Sequence, residues 1–463
     1  MTEQSAPSRH ETPDPKPRWL ERLGLGRPEL RAWALYDWAN SALVCTIITA
    51  VFPIYYEKVA CANLPLKVGA RYFASFTTLG MVLIAVVSPF LGAVADLRGG
   101  KKKMLGGFMA LGAVAVAAMF WIHTGDLALA SALFILANIG ANGSFVFYDA
   151  LLPHIARPDE VDRVSTAGYA LGYLGGGALL SLNLAWIERP DLFGLPSGAN
   201  LTEAQATLPS RLAFLSVALW WVLFSIPLFR RVPEPRLPGG KPAPEPLAAT
   251  FALALRRLIE TGKTLRQYRQ AFLMLLAFLI YNDGIGTIIR MAAIYASEIG
   301  INQGVIIAAI LLVQFVGIPF AFLFGMLAGR LGAKRSIGLG LAVYTGICVF
   351  GWFMTTATHF VILAILVGAV QGGTQALSRS LFASLIPRDK SAEFFGFFGV
   401  AEKFAGIFGP ALFAIISLAT GESRGAILSV IGFFAVGGLL LSLVDVPLGE
   451  QLARAEEAQV ESI

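Results

Sequence analysis

The sequence predicts an all-α integral membrane protein, with twelve transmembrane helices in two pseudo-symmetric six-helix bundles. Composition is the first reason: 56% of the 463 residues are hydrophobic and only 14% are charged, with a mean hydropathy of +0.68. Soluble domains carry roughly 25% charged residues, so this chain has too few polar side chains to cover a water-facing surface. Twelve separate apolar stretches and an internal repeat are the other two reasons.

The twelve apolar stretches are each close to the ~20 residues that an α-helix needs to cross a bilayer. They lie near residues 32–56, 72–95, 104–122, 127–152, 165–187, 212–229, 271–296, 305–328, 337–356, 360–386, 394–418 and 426–446. Six and six of them define an N-terminal bundle at 32–229 and a C-terminal bundle at 271–446. Residues 1–31, 230–270 and 447–463 are then an N-terminal tail, a linker and a C-terminal tail. The polar tail at 1–31 is expected to be disordered and shows no secretory signal.

The distribution of basic residues predicts the orientation of the spans. With both termini in the cytosol, the cytosolic segments hold 27 Lys and Arg residues, whereas the segments on the opposite side hold 6. Because Lys and Arg are enriched in cytoplasmic loops, this imbalance favours cytosolic termini, in the inner or plasma membrane if the host is bacterial.

The linker at 230–270 divides into two parts. Its first part is proline-rich, which favours an extended chain. Its second part places Phe251, Leu255, Leu258 and Ile259 on one face of a predicted helix. That pattern fits a helix lying on the anionic inner leaflet, and a solvated linker helix remains an equal alternative.

An internal repeat relates the two halves of the chain. Gly92-Ala-Val-Ala-Asp96-Leu-Arg98-Gly-Gly-Lys101-Lys102 follows span two, and Gly325-Met-Leu-Ala-Gly329-Arg330-Leu-Gly332-Ala-Lys334-Arg335 follows span eight. Spans four and ten both end in a Leu-aliphatic-Pro sequence, and Tyr36-Asp37 of span one corresponds to Tyr281-Asn282-Asp283 of span seven. Three correspondences in the same order indicate a parallel duplication about an axis along the membrane normal.

These motifs resemble those of a known family. The loop around Asp96 is similar to the loop signature of the major facilitator superfamily. A narrower resemblance, to the autophagy-related vacuolar effluxer-like permeases, rests on Trp33-Ala-Leu-Tyr-Asp37-Trp-Ala-Asn40-Ser41-Ala42, on Tyr281-Asn-Asp283 with Ile289-Arg290-Met291, and on Gln375-Ala-Leu-Ser-Arg379-Ser380 with Glu393-Phe-Phe-Gly396-Phe. The resemblance implies a transporter built of two six-helix bundles, whose fungal relatives are associated with amino-acid export.

Ionisable side chains inside the predicted spans are the candidate site residues. Such groups cost roughly 2.5–3.5 kcal/mol each to insert, so they usually face the protein interior and pair with a partner. The candidates, with their polar neighbours, are Tyr36, Asp37, Asn40, Asp149, Asn282, Asp283, Arg290, Gln375, Arg379, Glu402 and Lys403. They predict a polar cavity between the halves.

Several roles remain open for these side chains. Asp37 is expected to carry a proton, to bind a substrate ammonium group or to form a structural ion pair, and Asp283 to bind substrate. Arg290 is expected either to bind a substrate carboxylate or to extend to the interface, and Arg379 either to bind a carboxylate or to pair with Asp149. Glu402 and Lys403 are adjacent on a helix and point about 100° apart. They are therefore expected to pair with other helices rather than with each other.

The loop after span two is a candidate gating latch formed by Gly92, Asp96, Arg98, Lys101 and Lys102. A carboxylate at this position can lie at the N-terminus of a neighbouring helix and be stabilised by the helix dipole. Gly329 occupies the acid's position in the second copy, so the latch is expected in one half only.

The same residues exclude other classes of protein. The three cysteines and four histidines are dispersed, so no disulfide framework, metal site or catalytic set is expected. No basic face with interleaved aromatic residues suggests nucleic acid, and no cofactor motif is present. We therefore expect a secondary transporter that works as a monomer in the bilayer, exporting a small polar solute such as an amino acid with a coupling proton or ion. The alternatives are an importer of sugars or organic anions and, in another class, a membrane enzyme or scaffold.

The predicted orientation is testable by cysteine labelling. Lys101, Lys263 and Lys334 are each replaced by cysteine in a background that lacks Cys45, Cys61 and Cys348. Because all three positions are predicted to be cytosolic, they should resist a membrane-impermeant maleimide in intact cells and react after permeabilisation. Labelling of any one of them from outside would overturn the orientation.

Overall fold

The computed structural model of the chain describes residues 19–64, 68–198, 200–235, 252–256, 260, 268–405, 408–420 and 423–461. Within them, twelve helices are long and apolar enough to cross a membrane. They are α1 Pro28–Ala60, α2 Thr78–Arg98, α3 Lys101–Trp121, α4 Leu127–Ile155, α5 Val161–Glu188, α6 Glu203–Arg231, α7 Arg269–Glu298, α8 Gly304–Leu331, α9 Ala333–Trp352, α10 Ala357–Ser384, α11 Arg388–Ser417 and α12 Arg424–Ser442. The predicted fold class is confirmed.

Most of the contact between the two bundles, within the described residues, is made by four helix pairs. α2 packs on α11, α5 packs on α8, and the second line of contact is formed by α4 with α11 and α5 with α10. In the internal repeat, α2 corresponds to α8 and α5 corresponds to α11. The pair α2–α11 is therefore the symmetry equivalent of the pair α5–α8, as a parallel duplication requires. We call the side that carries Pro28, the turn at Gly99–Gly100 and the start of α11 the basic face, and the other side the opposite face.

A lysine in each half closes the end of that half's last helix at the basic face. Lys102 Nζ donates to the carbonyl oxygens of Phe229 and Val232, at 3.0 and 2.5 Å, where α6 ends. Lys334 Nζ donates to the carbonyl oxygens of Ser442 and Val444, both at 2.7 Å, where α12 ends. Cations stabilise helix C-termini, so the repeated basic motif fixes corresponding helix ends.

The helices extend beyond the apolar stretches of the sequence. α6 begins at Glu203, nine residues before the predicted boundary at 212, because Thr202 and Gln205 form a capping box. Arg211, predicted to lie in a loop, is therefore inside this helix, where it donates to the Phe120 carbonyl oxygen and lies over the Phe120 ring. Hydropathy does not detect the polar first turns of a helix, so it places the start of the helix too late.

Both tails carry structure where the sequence predicted none. Ahead of α1, Trp19–Arg22 form a helical turn, and Arg27 donates to the Ile155 carbonyl oxygen at 2.7 Å and pairs with Glu160. The C-terminal segment forms a thirteenth helix, α13, Val446–Glu461. The amphipathic part of the linker falls largely outside the described residues, which include only 252–256 and 260 of it.

α13 is attached to the C-terminal bundle at the basic face. Glu456 accepts hydrogen bonds from Tyr268 at 2.8 Å and from Lys390 at 2.5 Å, and the backbone N–H of Arg388 donates to Glu457 at 2.9 Å. Burial raises the pKa of Tyr268 to about 12, so its hydroxyl keeps the proton that it donates.

The outer half of α1 departs from α-helical geometry. Val44–Ala50 and Tyr56–Ala60 form π-helical turns, and the Thr49 hydroxyl donates to the Val44 carbonyl oxygen at 2.9 Å. Such turns are rare and are found frequently at functional sites. The inner part of α1, from Pro28 to Leu43, is a regular α-helix.

Close packing of α3 on α4 predicts the effect of one substitution. A Cβ atom at Gly140 would lie 2.4 Å from the Gly112 backbone, whereas one at Gly107 would meet nothing within 4 Å. Gly140→Val should therefore destabilise the protein by about 1–3 kcal/mol, as overpacking does, and Gly107→Val should be nearly neutral. Thermal unfolding followed by size-exclusion chromatography in detergent measures both, and equal melting temperatures would contradict the packing.

Candidate functional site

A charged cluster joins the two halves near the basic face. Arg379 of α10 places its guanidinium 3.3 Å from Asp37 Oδ2 of α1 and 3.0 Å from Asp149 Oδ1 of α4. It also donates to the hydroxyl and the carbonyl oxygen of Ser165 on α5, both at 2.9 Å. The Asp37 side chain is only 10% exposed and that of Arg379 only 4%. We call Asp37, Asp149, Ser165 and Arg379 the Arg379 cluster.

Aromatic rings surround the Arg379 cluster. The guanidinium carbon lies 4.8 Å from the Trp33 ring centroid, 4.7 Å from that of Tyr169 and 5.6 Å from that of Tyr148. Tyr148 donates its hydroxyl to Asp37 Oδ2 at 2.8 Å and stacks on Trp33 at 4.4 Å. The rings exclude water and add cation–π attraction, which strengthens the ion pairs.

Two glycines of α5 let α1 come close enough to build the cluster. A Cβ atom at Gly168 would lie 2.5 Å from Asp37 Oδ2, and one at Gly172 would lie 2.7 Å from Ser41 Oγ. Small residues permit this approach of helix backbones in membrane proteins. The glycine-rich sequence of α5 therefore positions the acid of α1.

The predicted latch residues lie at a second contact between the halves. Asp96 of α2 accepts hydrogen bonds from the backbone N–H groups of Ala392 and Glu393, at 3.2 and 2.8 Å. These groups belong to the first turn of the helix Ser391–Phe404 in α11, so the carboxylate lies at a helix N-terminus. Lys101 completes the contact, with Nζ 2.7 Å from Asp96 Oδ1.

The other predicted latch residues have separate surroundings. Gly92 lies under the same crossing, because a Cβ atom there would be 2.1 Å from the Ala392 carbonyl oxygen. Lys102 points away and closes the end of α6, and Arg98 is half-buried at the end of α2. At Gly329, the corresponding position of the second half, a Cβ atom would meet nothing within 4 Å.

The candidates on α7 and α10 form contacts within the C-terminal bundle. Gln375 Nε2 donates to Asn282 Oδ1 at 3.2 Å, and Asp283 Oδ2 accepts from the backbone N–H of Gly409 at 2.9 Å. The second contact lies at the first turn of the helix Phe408–Thr420. Asp283 is 1% exposed, so its carboxylate supports the fold of α11.

One expectation about the charged residues needs correction. Glu402 and Lys403 pair with each other, with Lys403 Nζ 3.1 Å from Glu402 Oε2, because their long side chains bend together despite pointing apart at Cβ. Arg290 is exposed, and the two alternative roles predicted for it stay predictions. Tyr36 and Asn40 are buried beside Asp37, and the Tyr36 ring centroid lies 4.9 Å from that of Tyr148.

A cavity bordered by helices of both halves holds none of the predicted site residues. It has a volume of about 290 Å³ and lies between the Arg379 cluster and the opposite face, bordered by α1, α5 and six helices of the C-terminal half. Its lining is mainly apolar, and its hydroxyl and amide groups belong to Thr49, Tyr173, Thr287, Tyr295, Gln314 and Gln371. None of the described lining residues is charged. Small pockets of this kind bind small molecules.

The neutral residues of this lining were not predicted to form a site, because only ionisable side chains inside the spans indicate a site from sequence. Gln314 Nε2 lies 3.0 Å from Cys45 Sγ across the halves, and neither residue stood out. The π-helical turn Val44–Ala50, which contributes Val44, Cys45 and Thr49 to the cavity, has no recognised signal in sequence. Among the described residues, no group of three His, Cys, Asp or Glu side chains is placed to hold a metal ion.

Comparison with known proteins assigns this architecture. The model of the family described as "Vacuole effluxer Atg22 like" matches residues 26–454. The chain belongs to this family. An uncharacterized MFS-type transporter of Bacillus subtilis (strain 168), YxiO, is 36% identical over 414 residues, which cover 89% of this chain and 94% of that protein. Autophagy-related protein 22 of Coccidioides immitis (strain RS) is 23% identical over 470 residues, covering 86% of this chain and 76% of that protein.

Solved structures show the same fold at low sequence identity. The proton:xylose symporter XylE aligns with a TM-score of 0.68 and 13% identity, covering 95% of this chain and 99% of that one. The transporter FucP in its outward conformation aligns with a TM-score of 0.63 and 12% identity, covering 91% and 99%. The chain is therefore a membrane transporter of the major facilitator type within the Atg22-like family.

The Asp96 contact predicts a shift between conformations. Asp96→Asn removes the negative charge at the start of α11, an interaction worth about 0.3–1 kcal/mol when exposed and up to ~2 kcal/mol when partly buried. The population open at the basic face should therefore rise several-fold, measured as maleimide reactivity of a single cysteine at Ser384→Cys. Gly329→Asp is the matched control and should have little effect. Equal reactivity with and without Asp96→Asn would count against the latch.

Proposed function

We propose that the chain is a secondary active transporter that exports a small amphoteric solute, such as an amino acid, in exchange for protons. The Arg379 cluster is the observation that carries this proposal. One cation of the C-terminal half contacts two acids of the N-terminal half, so the contact exists only while the halves are together at the basic face. Opening that face must separate Arg379 from Asp37 and Asp149. The cluster therefore holds the face closed, and a proton on one of the acids weakens that contact.

The coupling follows from the electrostatics of the separated cluster. Two neighbouring carboxylates repel each other once their shared cation is withdrawn, and a proton on one of them relieves that repulsion. A carboxylic acid without a charge also binds the guanidinium more weakly than a carboxylate does. Proton uptake and opening at the basic face therefore favour each other, which is the linkage that an exchanger needs.

The cavity favours this class of solute over the alternatives. A sugar needs hydrogen-bonding groups around most of its surface, whereas only six hydroxyl or amide side chains line this mainly apolar cavity. An organic anion brings a net negative charge that none of the described lining residues balances, whereas a zwitterionic amino acid carries no net charge. A solute with a substantial apolar part fits the lining better. For a membrane enzyme, the described residues offer no metal-ligand cluster.

The direction and the membrane are proposed from the family and the charge distribution. The family's description as a vacuole effluxer supports the proposal that the chain exports its solute across a membrane. The basic face carries the start of α1 and the attached helix α13, so we propose that both termini are cytosolic. We also propose that the protein works as a monomer, which opens alternately at the basic face and at the opposite face to move the solute. Counterflow of radiolabelled amino acids in proteoliposomes tests the transport of this class directly.

Asp37 is the acid whose loss should uncouple transport. Asp37→Asn should abolish proton-driven accumulation of the amino acid that gives counterflow, while leaving exchange measurable because exchange requires no net proton movement. Asp283→Asn is the contrasting variant, which should lower stability through loss of the Gly409 contact. Accumulation against a gradient by Asp37→Asn, with unaltered pH dependence, would show that the coupling does not require Asp37.

A further inference from the structure

A small polar void adjoins the Arg379 cluster between the two halves. It has a volume of about 10 Å³ and is bordered by α2, α4 and α11. Its polar lining consists of Ser88, Asn142, Asp149, Glu402 and Lys403. A polar space of roughly 10–15 Å³ holds one water molecule when several polar groups surround it. The void therefore suits a single water between the acids of two different helices.

The acids and bases around this void do not balance. Asp37, Asp149 and Glu402 are three acids, and Arg379 and Lys403 are the two cations that pair with them. The layer has one excess negative charge when all five are ionised. An uncompensated charge is costly inside a membrane protein, so this group of residues favours binding of one proton.

Glu402 is the acid best placed to receive that proton. Its side chain is 37% exposed, compared with 14% for Asp149 and 10% for Asp37. It also makes no contact with Arg379, whereas Asp37 and Asp149 are both held by the guanidinium. Glu402 can therefore take up a proton without weakening the contact between the halves.

The neighbours of Glu402 leave Asp149 as the acceptor. Lys403, on the same helix, pairs with Glu402 and lies 5.9 Å from the Phe145 ring centroid of α4. From α2, the described lining consists of Ile84, Ala85 and Ser88, none of which titrates. On the other side, Tyr148 and Tyr169 lie against the Arg379 guanidinium, which contacts Asp149.

We propose that Glu402 is the entry residue for the coupling proton, which passes through one water in the void to Asp149. The proposal rests on the proton coupling proposed above and adds its route. Protonated Glu402 donates to the water, and the water donates one of its own protons to the Asp149 carboxylate. Glu402 thereby regains its negative charge beside Lys403, and Asp149 becomes neutral beside Arg379, so that the guanidinium keeps Asp37 alone.

Two substitutions test the charge and the void separately. Glu402→Gln removes the excess negative charge without touching the contacts of Arg379. Gly399→Ala adds a methyl group to the lining of the void without changing any charge, and its Cβ atom would meet only Val146 Cγ2, at 3.5 Å. Glu298→Gln, an exposed acid at the end of α7, is the matched control.

The readout is fluorescence energy transfer between dyes on Lys103→Cys and Arg335→Cys, one in each half at the basic face. The full-length protein is studied in lipid nanodiscs without solute, in a background that lacks the native cysteines. In the parent protein, transfer should rise as the pH rises, because without a proton on Asp149 both carboxylates hold Arg379 and the halves stay closed at the basic face. Glu402→Gln should remain closed throughout, and Gly399→Ala should keep the pH response but reach it several-fold more slowly after a pH jump.

Each other outcome contradicts a stated part of the proposal. A normal pH response in Glu402→Gln, together with a response lost in Asp37→Asn, would overturn the entry role of Glu402 and leave the proposed coupling intact. An unchanged rate in Gly399→Ala would overturn the route through the void. No pH response in the parent protein would overturn both the route and the proton coupling on which it rests.

Discussion

The contact between Arg379 and the pair Asp37 and Asp149 is the interaction on which the arrangement of the two halves depends. A buried ion pair is costly to desolvate and is retained when its geometry satisfies every partner. Here the guanidinium has two carboxylates, both oxygens of Ser165 and a surrounding set of aromatic rings. The glycines of α5 and the stacked Trp33 and Tyr148 are consequences of building this site, because each brings a backbone or a ring to the cluster.

The sequence predicted the helices and the charged candidates but could not predict which of them meet. Hydropathy and repeated motifs establish twelve spans, and a charge inside a span indicates a buried partner. Which partner it meets depends on the rotation of each helix about its axis, so the choice of Arg379 between a ligand and Asp149 stayed open. Glu402 and Lys403 were wrongly predicted to pair with other helices, because the directions of their Cβ atoms do not determine where the ends of two long, flexible side chains lie. The cavity was missed because its neutral lining resembles any helix interior.

The duplicated halves have kept their framework and changed their charges. Lys102 and Lys334 close corresponding helix ends with the same pair of carbonyl contacts. Asp37 and Asp283 occupy related positions, yet Asp37 contacts the other half whereas Asp283 accepts from Gly409 in its own. Asp96 contacts α11, and Gly329 offers no counterpart. The charged contacts are therefore concentrated on one side of the duplication, and the basic face closes through groups that the second half does not repeat.

The π-helical turns of α1 have a consequence for how this helix is compared with its relatives. Each π turn holds one residue more than an α turn, which rotates all later side chains by about 100° relative to an uninterrupted α-helix. Residues after Val44–Ala50 therefore do not lie on the helix face that an uninterrupted α-helix through Asp37 would give them. Tyr55 contacts the Ile122 carbonyl oxygen and Tyr56 contacts Ser131. A helical wheel drawn through the whole span would assign its outer residues to the wrong side. A single-residue deletion between 44 and 50 would turn that outer segment while leaving the inner one unmoved.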